Sequence, residues 1–218
     1  MRKLTLTDSA EAQHARTSLT AKPSAAVKRP TRAEAEAAVR TLLAWAGDNP
    51  DRTELRQTPA RVAEAYLVYF SGYTQDPLDL LREPVLDEAS GYDDMVMLAH
   101  IPVLSHCEHH ISPFMGHATV AYLPGARLTG LSRLSRVVDV LARRLQTQEA
   151  LTQQISDILN EGLEPRGVAV LIEAEHQCIA ARGIRQAGLR AVTTRFTGAF
   201  DVDATLQDRF LRLVRNPG

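Results

Sequence analysis

The chain has 218 residues, 44% of them hydrophobic and 23% charged, with a formal net charge of −1. That is the composition of a soluble globular protein with room for one full core or at most two small ones. It excludes a bulk electrostatic pull toward nucleic acid, and no apolar run approaches the roughly 20 residues of a membrane span.

Charge is unevenly spread. Residues 1–29 hold six basic side chains against Asp8 and Glu11, a local net of +4 that leaves −5 on the remainder. They are rich in Ala, Ser, Thr and Lys and show no periodicity, which predicts a disordered basic tail. No apolar stretch follows the basic residues, so no secretory signal is expected. The expected setting is the reducing cytoplasm, where the two cysteines serve a metal or chemistry rather than a disulfide.

Pro30-Thr31-Arg32-Ala33-Glu34 predicts a capping box opening a helix. Val39, Leu42, Leu43 and Ala46 form its apolar stripe, and Gly47 and Pro50 end it. A second helix opens at Thr58-Pro59, with proline where its missing N–H costs least. Its apolar face is Val62, Ala65, Tyr66 and Tyr69, and Ser71-Gly72 closes it. Residues 76–93 read as loop and short helix. Residues 94–105 read as a buried strand, and 117–123 as a second strand ended by Pro124-Gly125.

A long helical region follows. One stripe is Leu134, Val137, Val138, Leu141 and Leu145; the other is Leu151, Ile155, Ile158, Leu159 and Leu163. A change of phase near 146–148 predicts two helices meeting there. Residues 167–173 (GVAVLIE) and 191–200 read as strands, and Asp203 as the cap of a final helix with Phe210, Leu211 and Val214 inward. The order predicts an α+β fold, an antiparallel sheet with helices on one face. It divides into a tail (1–29), an N-terminal helical segment (30–93) and a second domain (94–218).

Five of the seven histidines lie between positions 100 and 117, and both cysteines sit beside histidines. Cys107-Glu108-His109-His110 and His176-Gln177-Cys178 supply thiolate and imidazole, the ligands zinc prefers. Cys107 and His110, three residues apart, can converge from one turn, and Cys178 must be brought in by the fold. Three protein ligands leave a position for water, as in a catalytic zinc site. A closed, non-catalytic zinc site is the competing reading. The His-Glu-x-x-His helix of metalloproteases is absent, and so is the Pro-Cys-x-x-Cys that nucleobase deaminases need.

The blocks Cys107-Glu108-His109-His110, Gly130-Leu131-Ser132, Gln146-x-Gln148-Glu149-x-Leu151-Thr152, His176-x-Cys178 and Arg182-Gly183 occur in the order seen in GTP cyclohydrolase I. The chain resembles that family from about Thr58 to its C-terminus. The resemblance implies a T-fold over 94–218 and a toroidal homo-oligomer, a decamer of two pentamers with sites shared between subunits. It implies conversion of GTP to 7,8-dihydroneopterin triphosphate and formate, the first step of tetrahydrofolate and pterin synthesis, with neither nucleic acid nor membrane as partner.

By the same resemblance Cys107, His110 and Cys178 hold zinc, and His109 and His176 are catalytic. Guanine ring opening needs a proton at N7, which a histidine can supply near neutral pH. His176 is the first choice for it, and His109 for a second proton as the formyl group leaves, or else for support of a ligand. Gln148 and Glu149 are expected at the base, where a carboxylate accepts from guanine N1–H and the 2-amino group. Arg61, Arg133, Arg136 and Arg182 are expected at the triphosphate, with Ser132 either there or capping a helix.

Three positions depart from the family pattern: Arg133 where lysine is usual, Glu64 where some members carry lysine, and His117 for a common lysine. They bear on phosphate binding rather than on the metal. Three rival readings stand: a paralogue feeding deazapurine or secondary metabolism, a non-catalytic GTP-binding T-fold protein, and a nitrile-reducing relative. The zinc-type ligand pair argues against the last.

Overall fold

The computed structural model describes residues 28–82, 92–125, 127–182 and 185–215. The tail expected over 1–29 falls almost wholly outside these residues, as does half of the segment expected before the first strand, 83–91 of 76–93.

Helix α1 (Arg32–Trp45) starts with the reciprocal capping box: the Thr31 side chain accepts from the Glu34 amide, and Glu34 accepts from the Thr31 amide at 2.7 Å. The helix buries none of its residues within the chain, and Trp45 is 87% exposed. Helix α2 (Thr58–Tyr69) packs against it and opens on Pro59, as the sequence predicts. A 3-10 turn (Ser71–Thr74) and the one-turn helix α3 (Asp79–Arg82) follow.

Strands β1 (Val96–Cys107) and β2 (Pro113–Leu123) form an antiparallel hairpin. Helix α4 (Leu131–Ala142) leads to a two-residue strand, β3 (Leu145–Gln146), which pairs parallel with the end of β1. Periodicity alone cannot reveal so short a strand; the phase change near 146–148 is its trace. Helix α5 (Gln148–Leu163) follows, capped by the Thr147 hydroxyl accepting from the Ala150 amide. Strand β4 (Gly167–His176), the one-turn helix α6 (Gln177–Ala180), strand β5 (Arg190–Gly198) and helices α7 (Ala199–Val202) and α8 (Ala204–Arg215) complete the described chain. Among the described residues the sheet order is β3-β1-β2-β4-β5.

The main core lies between one sheet face and helices α4 and α5. Ala118, Val120 and Tyr122 of β2 and Val168, Val170 and Ile172 of β4 meet Leu134, Val138, Leu141, Leu151, Ile155 and Leu159. Each of the buried valines, leucines and isoleucines contributes about 1.5–3 kcal/mol by leaving water.

One expectation is corrected: helices cover both faces. The alternate residues Ala121, Leu123, Ala169 and Leu171 pack on Phe200 and Phe210 of α7 and α8. The cause is in β4, where Val168 through Ile172 are all apolar and all buried, so both faces need cover. Asp203 does cap the last helix, its Oδ1 accepting from the Thr205 amide at 2.8 Å.

Buried Arg144 ties the N-terminal helices to the sheet. Its guanidinium donates to the carbonyls of Gly72 (3.1 Å) and Gln75 (3.2 Å). Gly72 must be glycine there, because a Cβ would collide with the backbone carbonyl oxygens of Val140 and Arg143. Gly72→Ala should therefore destabilise the fold by about 1–3 kcal/mol. The check is urea unfolding, where the midpoint should fall while the slope holds.

Candidate active site

Three strands end together at one edge of the sheet. In β2, Phe114 lies opposite Ser105 of β1 and opposite His176 of β4. The β1–β2 turn and the exit from β4 are therefore neighbours, though some 70 residues separate them in sequence. The turn is closed by the Cys107 amide donating to Ser112 O (2.8 Å) and the Ile111 amide to Cys107 O (2.8 Å). Gln146 of β3 pins it from outside, accepting from the Glu108 amide at 3.2 Å.

This arrangement brings Cys107, His110 and Cys178 together, with their ligand atoms within 4.8 Å of one another. Cys107 is buried, Cys178 half-buried and His110 exposed, so the group opens on one side to solvent. The two thiols are free. Burial, and then the neighbouring Cys107, pushes the Cys178 thiol above its ordinary value. A dication between two such thiols reverses that balance and deprotonates them. Two sulfurs and one imidazole at this spacing fit a metal, and among the described residues this is the group that does so.

His176 ends β4, two residues before Cys178. Its ring stacks on Phe114, centroids 4.7 Å apart and planes 9° from parallel. Nε2 lies 2.8 Å from Gln148 Oε1. Burial lowers the imidazole pKa, against the opposing pull of the Glu149 carboxylate. Glu149 is exposed at the first turn of α5, on a groove of about 280 Å³ lined also by Thr152, Thr193 and Arg195. His109 is exposed, with Nδ1 3.5 Å from Cys107 Sγ. Arg182, just past α6, is close enough to favour the Cys178 thiolate.

The expected residues of α4 are not brought to this place within one chain. Ser132, Arg133 and Arg136 occupy the first turns of α4. The loop before α4 is held at the far end of β2, where the Thr129 amide donates to Tyr122 Oη at 3.2 Å. Tyr122 and Phe114 lie eight positions apart on β2, roughly 26 Å at 3.3 Å per residue. Arg61 is exposed on α2 and donates to Gln57. Glu64 pairs with Arg32 at 3.3 Å, so its carboxylate is engaged away from the metal group. His117 sits edge-on to His100 with ring centroids 5.8 Å apart. Gln148 also departs from expectation: it is 1% exposed, and its amide is spent on protein groups rather than open to a ligand.

Sequence reasoning passed over Phe114, Thr193 and the aromatic pair Tyr69 and Phe70. The latter two pack on the buried His106 ring with centroids 4.9 and 5.2 Å away, beside Cys107. These contacts join distant segments, and no local pattern announces them.

A mixed α+β fold that sets a Cys2His group able to hold a metal beside a stacked histidine has the parts of a metal-dependent enzyme. Residues 35–215 match the family model described as GTP cyclohydrolase I. A GTP cyclohydrolase 1 of Maricaulis maris is 54% identical over 186 residues, covering 85% of this chain and 90% of the relative. One of Brucella canis is 55% identical over 188 residues, covering 86% and 88%. The chain belongs to the GTP cyclohydrolase I family. Among solved structures, an archaeosine synthase QueF-Like in the apo form shows a weak likeness, TM-score 0.37 and 14% identity over 48% of this chain and 93% of its own.

The geometry separates ligands from neighbours. Cys178→Ser and His110→Ala should each lower bound metal from about one ion per chain toward none, while His176→Ala keeps it. Elemental analysis of purified full-length protein after dialysis reads this directly.

Proposed function

We propose that this protein converts GTP to 7,8-dihydroneopterin triphosphate and formate at a zinc centre held by Cys107, His110 and Cys178. The observation that carries the reading is the convergence of those three ligands beside His176 in a chain of this family. When bound, zinc supplies Lewis acidity that makes water nucleophilic at neutral pH.

The protein's own groups do the rest. Glu149, on the rim of its groove, accepts from guanine N1–H and the 2-amino group. Adenine offers neither pair, so base choice follows from hydrogen-bond complementarity. Binding there sets the purine edge near His176. As water adds to C8, His176 delivers a proton to N7, and the imidazole ring opens. Burial favours loss of the proton from this ring, which suits a donor. His109 handles the second proton as the formyl group leaves. Its contact with Cys107 Sγ also lets it steady that ligand. Arg182 meets the triphosphate beside the metal group.

Ser132, Arg133, Arg136 and Arg61 contact the triphosphate from neighbouring subunits of a decamer of two pentamers. Three observations support sharing: the α4 residues lie at the far end of their own sheet, β5 has an open edge, and α1 buries none of its residues. In this reading residues 30–93 form a helical segment that docks on the catalytic domain 94–218. Among the described residues no helix is long and apolar enough to cross a membrane. Free thiols suit a cytoplasmic protein.

Zinc-loaded protein given GTP should release formate and form a fluorescent pterin; binding of GTP with no formate would refute the assignment. Chelation should abolish turnover, and added zinc should restore it. His176→Ala should retain zinc and GTP affinity while kcat drops about 10²–10⁴-fold. A monomeric variant that turned over GTP normally would sink the shared site.

A further inference from the structure

We propose that Gln148 is a positioning residue for His176: its amide fixes the ring's orientation and its Nε2–H tautomer, and it does not touch the nucleotide. The inference rests on the reading of His176 as the proton donor at guanine N7.

The orientation of the amide follows from its partners. Gln148 Nε2 lies 3.1 Å from each of Ile172 O, Ala191 O and Thr193 Oγ1. Carbonyl oxygens only accept, so the NH2 end must face them. A flipped amide would set Oε1 against two carbonyl oxygens. Oε1 therefore points at His176 and can only accept, and at 2.8 Å the ring must donate. In the neutral imidazole the proton is thus on Nε2, and Nδ1 is the nitrogen left free to take up a proton and pass it to guanine N7.

The surroundings lock this choice. Thr193 Oγ1 lies 3.1 Å from Gln148 Nε2 as a further acceptor beside the two carbonyls, and its own hydrogen can pass to Thr152 Oγ1 at 2.7 Å. Thr152 in turn donates to the Gln148 carbonyl at 2.8 Å. Phe114 stacks on the imidazole and restricts its tilt. Gln148 is 1% exposed and Thr152 2%, so water does not compete for these bonds. The contacts span helix α5 and strands β4 and β5, which makes ring orientation a product of the tertiary fold. Glu149, next in sequence, faces the groove. The two adjacent residues thus divide the work, one holding the proton donor and the other the base.

The experiment uses zinc-loaded, full-length protein labelled at the histidine ring nitrogens. Solid-state nitrogen NMR reads the tautomer, and His176→Ala assigns the signal. Wild type should show neutral His176 protonated at Nε2; protonation at Nδ1, or a mixture, would overturn the proposal. Gln148→Leu should lose the single tautomer and lower kcat roughly 10–100-fold, with KM for GTP changed less than about twofold. A raised KM at unchanged kcat would make Gln148 a nucleotide contact and overturn it too, as would an unaltered tautomer. Should Gln148→Leu not fold, the wild-type nitrogen signature still decides. Wild-type protein that released no formate would defeat the functional reading, while the same signature would judge Gln148 separately.

Discussion

Phe114 faces Ser105 on one side and His176 on the other, and that double register of β2 is the constraint on which the site depends. A strand paired on both edges cannot slip by one residue without turning its buried face outward. Here Ala118, Val120 and Tyr122 pack into the core under α4 and α5 while Ala121 and Leu123 pack under α7 and α8, so a one-residue slip would exchange two differently shaped sets and is disfavoured. With β2 fixed, the turn after Cys107 and the exit at His176 must meet. The metal group is a consequence of strand ends, and the hydrophobic core supplies its precision.

The polar parts are layered onto that frame. Gln146 and Gln148 bracket Thr147, the cap of α5, and each holds one half of the site. Gln146 pins the ligand turn through its backbone carbonyl; Gln148 holds His176 through its side chain. The start of one helix thus coordinates both. Buried hydrogen bonds of this kind are costly to leave half-made. The expected gain is a ring held in one pose rather than extra global stability.

The distribution of arginines follows a different logic. Arg144 is buried and serves the fold, donating to the backbone carbonyls of Gly72 and Gln75. Burial lowers its pKa, but a guanidinium keeps its charge. Arg182 stays exposed beside the metal group, while Arg133 and Arg136 sit at the opposite end of the sheet.

Much of this was legible in the residues themselves. The Cys107–His110 pair and His176–Cys178 are local patterns with metal-ligand spacing. The capping box at Thr31, proline at the start of α2 and the Asp203 cap are local too, because each satisfies backbone groups within one turn. Apolar stripes placed α4 and α5, since a helix face repeats every three or four residues. What the residues could not show is whatever joins distant strands: β3 as a parallel edge, α8 on the second sheet face, Phe114 under His176, and Gln148 turned inward. Side-chain identity sets which bonds Gln148 can make. Only the packing of α5 against β4 and β5 decides that its acceptor meets His176 rather than a ligand, because the three acceptors that orient its amide come from strands 24 to 45 residues away.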